Sequence, residues 1–356
     1  MNHEKRIKAL QRKIKKEGLD GMLITERKNI YYLTGFTGDA GLLFVSPNSA
    51  LLVTDYRFEG GVVEKIQGAR YLLTREGYLK GLKNDPIFRK KKVIGFESFG
   101  VRYGTYRNIR KTLKVKLKPM KDVVERLREI KDEDEIKLMK KAASIGDKAL
   151  EKVLKIIKPG IRELDIALEL EYQMRKLGGE GVSFTTIVAS GKRSAIPHGT
   201  ASNKKIKTGE LITIDFGTYY KGYASDMTRT FALGKPSRFL KDIYDIVYHA
   251  QKIAREQVKP GMKMKEIDAL ARKYIEDRGF GDRFTHSLGH GVGLDVHEYP
   301  GVNQKSREVL KEGMVFTIEP GVYVPGKGGV RIEDMVVFMN GKKHVLTRFP
   351  RELIIL

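Results

Sequence analysis

The sequence predicts a two-domain α/β protein, with a smaller N-terminal α/β domain over residues 1–121 and a larger α+β domain over residues 122–356. Three observations lead there. The chain has 356 residues, more than one ordinary hydrophobic core organises. Short apolar runs alternate with helical stretches through the N-terminal third, the pattern of a sheet covered by helices. Beyond that third, one segment occurs twice: Lys158-Pro-Gly-Ile-Arg-Glu-Leu-Asp165 resembles Lys259-Pro-Gly-Met-Lys-Met-Lys-Glu-Ile-Asp268. Each copy sits between helical stretches, the second ending in glycine (Gly178-Gly179, Gly279), and Phe184 or Phe284 and then a strand hairpin follow. Two similar halves about a pseudo-two-fold axis are therefore expected.

Taken in order, Lys5–Lys16 places Ile7, Leu10 and Ile14 at helical spacing and is closed by Gly18. Gly21–Thr25 reads as a short buried strand. Gly35, Gly38 and Gly41 form a loop before a second strand that ends near Ser46. The loop lacks both the Gly-x-Gly-x-x-Gly spacing and a Gly-Lys-Ser/Thr, so it is read as a turn and not a phosphate cradle. Ala50–Phe58, Ala69–Leu73 and Val93–Phe96 are further strands. Lys118-Pro119-Met120 punctuates the chain and sets the domain boundary at 121/122. From Val123 to Ile157 the pattern is helical, with a charge-dense stretch, Glu129 to Glu135, in its middle.

The second domain carries the chemistry. In Leu211–Phe216, Ile212, Ile214 and Phe216 fall on one face and Thr213 and Asp215 on the other, a period of two. Thr228 and Thr230 keep step with Asp226 in the same way. A two-residue turn at Tyr220-Lys221 would oppose Asp215 to Asp226, and two carboxylates so placed repel unless a cation or proton lies between them. The pattern recurs in Val315-Phe-Thr-Ile-Glu319, and a hairpin centred on Gly326 opposes Glu319 to Glu333. Single acidic pairs in strands are ordinarily solvated edges. Two sequence-related pairs plus an imidazole, His290, make a donor set for two divalent ions, whose charge the four carboxylates balance. Among the seven His, His286 and His290 have zincin-like spacing, but Gly289, Gly291 and Gly293 oppose a helix and the zincin Glu is missing. The glycines beside His290 are expected to let its backbone approach a site closely. His198 and His297 occupy similar places in the two halves and are expected on the substrate side, as is Phe184. Arg331 shares a strand face with Glu333 and would offset negative charge behind the ligands.

Composition narrows the function classes. With no Cys, disulfides, zinc–thiolate sites and cysteine nucleophiles are excluded. The charged N-terminal residues lack the apolar core of a signal peptide, and no apolar run approaches a membrane span, so a cytoplasmic protein without membrane contact is expected. The net charge is +24. Arg89–Lys92 and Lys111–Lys118 are the densest clusters; because lysines are spread through most helices and mixed with Glu, they are read as solvated faces in preference to a nucleic-acid site. Lys/Glu richness with few Asn, Gln and Cys suits a thermophilic source.

These residues resemble the creatinase, aminopeptidase P and prolidase group of pita-bread metallopeptidases. The resemblance runs through Ile-Asp215-Phe-Gly, Ser-Asp226-Met-Thr-Arg-Thr, Gly-His290-Gly-Val-Gly-Leu-Asp-Val-His297-Glu, Thr-Ile-Glu319-Pro-Gly and Arg331-Ile-Glu333-Asp. Tyr-Leu-Thr-Gly35-Phe-Thr-Gly38 and Thr-Asp55-Tyr-Arg57 extend it to the family's creatinase-type N-terminal domain. It implies hydrolysis of Xaa-Pro bonds in small peptides with proline in second position, by a homodimer with two divalent ions per subunit, Mn or Co before Zn or Fe. By that similarity Asp215 binds one metal, His290 and Glu319 the other, and Asp226 and Glu333 bridge both. A bridging hydroxide attacks the scissile carbonyl, Glu319 shuttles the proton, and His198 and His297 hold the carbonyl oxygen and the tetrahedral intermediate. One departure bears on peptide length. Pro300 is followed by Gly301-Val302-Asn303, where similar archaeal-type prolidases place an Arg that holds a dipeptide's carboxylate. A Xaa-Pro dipeptidase is the leading expectation, with aminopeptidase P-like cleavage of longer peptides second. Three further readings have less in their favour: a methionine aminopeptidase typically lacks the N-terminal domain, a creatinase needs no metal, and a non-catalytic binding module is expected to have lost ligands.

Overall fold

The computed structural model describes residues 1–356 and divides into two compact units, Met1–Arg128 and Glu129–Leu356. In the first unit the helices are α1 (His3–Lys16), α2 (Arg27–Thr34), α3 (Tyr78–Asn84), α4 (Tyr103–Leu113) and α5 (Glu125–Arg128). Its strands are β1 (Gly21–Ile24), β2 (Leu42–Val45), β3 (Ala50–Thr54), β4 (Arg70–Leu73), β5 (Val93–Glu97) and β6 (Lys116–Met120). They form one mixed sheet in the order β4-β3-β2-β1-β5-β6. Helix α1 starts where Asn2 accepts the N–H of Lys5 at 2.9 Å, and it buries the expected Ile7, Leu10 and Ile14. Two elements go beyond the sequence reading. Helix α2 lies just before the Gly35–Gly41 loop, in residues to which the sequence reading assigns no element, and β6 begins inside the cluster read as a solvated face. Strand β6 is an edge strand, so its lysines point to water and Pro119 removes no essential ladder bond.

The boundary moves from 121/122 to 128/129. Residues 122–128 are tied back to the first unit by side chains that no local pattern announces. Asn29 donates to Glu97 at 2.7 Å and to Glu125 at 2.6 Å, Arg128 donates to Asn29 at 2.9 Å, and the Tyr32 hydroxyl donates to the Leu127 carbonyl. The continuous helix expected from Val123 to Ile157 is also broken. It restarts at Asp132, which caps the N–H of Glu135 while Glu135 caps the N–H of Asp132.

The second unit carries the duplication. Its first half contains α6 (Glu133–Leu154), α7 (Glu163–Lys176), β7 (Ile187–Ser190), β8 (Leu211–Phe216), the short pair β9 (Tyr219–Tyr220) and β10 (Tyr223–Ala224), and β11 (Met227–Ala232). Its second half contains α8 (Arg238–Gln257), α9 (Met264–Glu276), β12 (Gly289–Gly291), β13 (Glu298–Val302), β14 (Val315–Ile318), β15 (Gly321–Val324), β16 (Gly328–Arg331), β17 (Asp334–Met339) and β18 (Lys342–Val345). The sheets run β11-β8-β7 and β13-β12-β14-β17-β18, with β15-β16 as a separate ribbon. In each half two helices cover one face. Leu150, Leu170 and Met174 pack with Ile212, Ile214 and Phe216, while Val247, Ile267 and Ile275 pack in a cluster with Phe316 and Ile318. Each fully buried aliphatic side chain of this kind stabilises the fold by about 1.5–3 kcal/mol. The halves are joined where Glu333 donates its N–H to the Thr228 carbonyl and the Thr230 hydroxyl donates to the Arg331 carbonyl. Residues 349–356 then return to the first half. Phe349 packs edge-on against Phe231, and Ile354 and Leu356 exchange backbone hydrogen bonds with Ala232.

One hairpin register differs from expectation. Thr228, not Asp226, lies opposite Asp215. The turn is Lys221-Gly222, both with positive φ (48° and 77°), one residue later than Tyr220-Lys221. Moving both turn residues by one shifts the pairing by two, so Asp226 stays on the face of Asp215 as a diagonal neighbour. At the break between the two hairpin segments stands Gly217, where a Cβ would meet the Ser225 carbonyl at 1.9 Å. The second hairpin has the expected register: β14 with β17 and β15 with β16 share one alignment that sets Glu319 opposite Glu333.

Candidate metal centre

The two hairpins aim their carboxylates into one cavity of about 560 Å³, and all nine residues singled out from the sequence line it. Asp226, His290 and Glu333 each offer a donor atom within 4.8 Å of the others. Glu319 stands beside them, its Oε1 3.3 Å from His290 Nε2, which is also 3.5 Å from Asp226 Oδ2. Asp215 lines the same cavity and accepts at its Oδ2 from Arg331 Nη2 at 2.6 Å. His198 and His297 are exposed residues of the lining, and Phe184 lines the cavity half-buried.

Each candidate ligand is aimed by a neighbour. The Thr228 hydroxyl donates to Glu333 Oε2 at 2.7 Å, and the Thr317 hydroxyl donates to Glu319 Oε1 at 3.0 Å. His290 Nδ1 lies 3.1 Å from the Gly291 carbonyl, which leaves Nε2 to face the carboxylates as the ligating nitrogen. The glycines beside His290 have a packing role as well. A Cβ on Gly289 would meet the Thr317 carbonyl at 2.0 Å, and one on Gly291 the Tyr299 carbonyl at 2.1 Å. They let neighbouring strands close on β12, and Gly289 also lines the cavity.

The electrostatics call for a cation. Burial pushes Asp226 and Glu333 well above the ordinary carboxylate range, and the facing charges of Glu333 and Asp215 on the one, and of Glu319 and Asp215 on the other, push further. Burial also raises Asp215, with Arg331 opposing. Glu319 goes the other way: burial disfavours its charge, but the hydrogen bond and charge of His290 hold it below the usual range. Asp215 Oδ1 and Glu333 Oε1 are buried without a hydrogen-bond partner. Buried carboxylate oxygens are ordinarily satisfied, and these two are orphaned at the point where the ligand atoms converge. Four carboxylates and one imidazole suit hard-to-borderline divalent ions, so the residues present fit such a metal.

Arg331 stands behind the ligands as expected but does more than offset charge, and several other contributors escaped the sequence reading. Arg331 is buried and donates to Thr228, Tyr323, the Pro197 carbonyl and Asp215, so it cross-links both halves. Tyr323 also meets His286 Nε2 at 2.9 Å. Behind Glu333, buried Arg229 binds Asp334 at 2.8 Å and donates to the Thr228, Glu333 and Phe349 carbonyls. The period of two points to Arg331 and Thr228, and nothing local points to the rest. A second buried group anchors the loop that carries His198. Glu163, at the start of α7, accepts from the N–H and hydroxyl of Ser190, from the Ser202 hydroxyl and from Arg193, and Arg193 also donates to the Thr200 carbonyl.

Comparison with known proteins agrees with this arrangement. Residues 137–339 match the model of metallopeptidase family M24, and residues 6–130 match the creatinase/prolidase N-terminal domain. The chain is 41% identical to the Xaa-Pro dipeptidase of Pyrococcus horikoshii, over 98% of both chains. It matches the structure of a Xaa-Pro dipeptidase from Bacillus anthracis with a TM-score of 0.97 and 42% identity, covering 100% of both chains. The structure of an X-Pro aminopeptidase from Thermotoga maritima matches with a TM-score of 0.90 and 39% identity, covering 95% of this chain and 98% of that one. With both of its units accounted for in this way, the chain belongs to metallopeptidase family M24 and carries that family's divalent-metal catalytic domain behind a creatinase/prolidase N-terminal domain.

Proposed function

We propose that this chain is a Xaa-Pro dipeptidase, with Asp215, Asp226, His290, Glu319 and Glu333 holding two divalent ions, Mn or Co by preference. The observation that carries the reading is the convergence of four carboxylates from two hairpins on His290, with two buried oxygens left unpartnered. When bound, divalent ions lower the pKa of water and polarise the scissile carbonyl. The chain's own residues do the rest. Glu319, its charge favoured by His290 and its Oε1 fixed by Thr317, takes the proton of the attacking water and returns it to the leaving proline nitrogen. His198 and His297 reach in from the lining to the carbonyl oxygen, where negative charge develops. Phe184 offers an apolar wall to the substrate side chains. A Xaa-Pro bond has no N–H to grip, so recognition falls on the ring and the free amine.

A specific observation favours a second reading, removal of the first residue from longer Xaa-Pro peptides. Arg331 is the one cationic side chain other than His in the cavity lining, and its donors are engaged by Asp215, Tyr323, Thr228 and Pro197. Gly301 and Asn303 stand in the lining without a charge to offer a dipeptide's carboxylate. The deciding experiment compares Leu-Pro with Leu-Pro-Ala, using protein stripped with EDTA and then supplied with Mn²⁺ or Co²⁺. Cleavage confined to Leu-Pro supports the dipeptidase, and preference for Leu-Pro-Ala supports the second reading. Absence of metal-dependent cleavage of both rejects the two together.

A further inference from the structure

The two basic clusters of the N-terminal unit are separate in sequence and adjacent in the fold. Residues 1–128 hold 29 Lys or Arg against 13 Asp or Glu. Between Arg89 and Lys121 there are twelve Lys or Arg and one acid, Glu97, which is buried. Arg89–Lys92 leads into β5, Lys111–Lys118 runs from α4 into β6, and Lys116 donates its N–H to the Lys92 carbonyl at 2.8 Å. The acids that meet this edge are Glu17, on Lys118 at 2.8 Å, and Asp20, which accepts from the N–H groups of Lys92 and Val93. Neither lies in the groove along α4, which is lined by Tyr103, Arg107, Arg110, Lys111 and Lys114 among others and by no acidic residue.

Ordinary structural causes explain part of this charge. Lysines on β6 keep an edge strand from pairing with another chain. Cations in the last turn of α4 complement the helix dipole. Two observations remain. Arg107, Arg110, Lys111 and Lys114 recur at spacings of three and four, so like charges face each other along a helix that contains no acid to relieve them. Phe99 and Tyr103, at 76% and 75% exposure, are the two most exposed large hydrophobic side chains of the chain, and both lie in this segment. Lys121 Nζ sits 5.5 Å from the centroid of the Phe99 ring. Two such exposed rings beside an acid-free cationic helix are more than edge protection or helix capping requires.

We propose that this face of the N-terminal unit binds single-stranded nucleic acid. Phosphates lie on Arg107, Arg110, Lys111 and Lys114, and unpaired bases stack on Tyr103, which lines the same groove, and on Phe99 in the turn that leads into α4. Cations give affinity through counterion release, and exposed rings beside them give base stacking that a duplex does not offer. The proposal is independent of the peptidase reading, because the residues belong to the other unit.

The test is fluorescence anisotropy of the full-length protein with a labelled single-stranded oligonucleotide and the matching duplex, from 50 to 200 mM salt. Four phosphate contacts predict a loss of single-strand affinity of about 50-fold across that range. R107Q/R110Q/K111Q should reduce the slope of log affinity against log salt by about 2. F99A/Y103A should weaken single-strand binding by about 30-fold or more and leave the slope unchanged. All of these residues are largely surface-exposed, and unchanged thermal unfolding verifies that each variant is folded. Binding that survives the triple substitution overturns the proposal. So does a duplex preference unaffected by F99A/Y103A, and so does binding to phosphatidylglycerol vesicles without binding to the oligonucleotide.

Discussion

At the residue scale, the candidate centre depends on hydroxyls as much as on carboxylates. Thr228 holds Glu333 Oε2 at 2.7 Å and also receives Arg331, so one small side chain orients two parts of the site. Thr228→Val keeps the volume and removes the donor. It is expected to lower metal affinity by about 10–100-fold with little change in thermal unfolding, as read by metal titration of the stripped protein. An unchanged affinity would mean that Glu333 is aimed by its backbone alone. The carboxylates themselves were legible in the sequence because a period of two marks which side of a strand a residue faces. Arg229 and Asp334 were not, because a buried ion pair between residues 105 positions apart leaves no local periodicity.

At the scale of elements, turns were the least legible feature. Tyr220-Lys221 and Lys221-Gly222 are both compatible with a hairpin, and only positive φ at both central residues selects the second. The error left the site intact because it shifted the register by two and spared the face. Helix α2 and strand β6 were missed for different reasons. The first is eight residues long and ends at Gly35, whose φ of 76° closes it; the second is coloured by edge lysines that read as surface. The loop between β7 and β8 is held by Glu163, and this gives a test of positioning. Glu163→Gln should lower kcat for Xaa-Pro cleavage about tenfold, with KM less affected and metal content unchanged, because His198 loses its fixed loop. Arg193→Lys, which keeps the charge but not the bond to the Thr200 carbonyl, should fall between the two. Loss of thermal stability with kcat intact would show that the network serves the fold alone.

At the scale of the whole molecule, the duplication was readable from the paired Lys-Pro-Gly segments, and the division at 128/129 was not. Stability should also respond to pH in a direction set by particular carboxylates. In the N-terminal unit, hydrogen bonds from the N–H groups of Val93 and Lys92 hold Asp20 below its ordinary range. A depressed folded pKa contributes stability above the unfolded value, and that contribution disappears as pH falls through the folded one. Asp20→Asn should therefore cost about 0.5 kcal/mol at neutral pH, a small figure because the group is exposed, and the difference should shrink toward pH 3. Paired thermal melts across that range measure it, and a difference that grows on acidification would contradict the assignment.

The returning segment 349–356 has a consequence for synthesis. Phe349, Ile354 and Leu356 pack in the core of the first half, although they are made after the entire second half. The first half's core is therefore incomplete until residues 349–356 have left the ribosome, and Arg229, which needs the Phe349 and Pro350 carbonyls, cannot settle behind Glu333 before then. A nascent chain therefore cannot finish this site, so newly made copies gain peptide-cleaving capacity only once translation has passed beyond both halves.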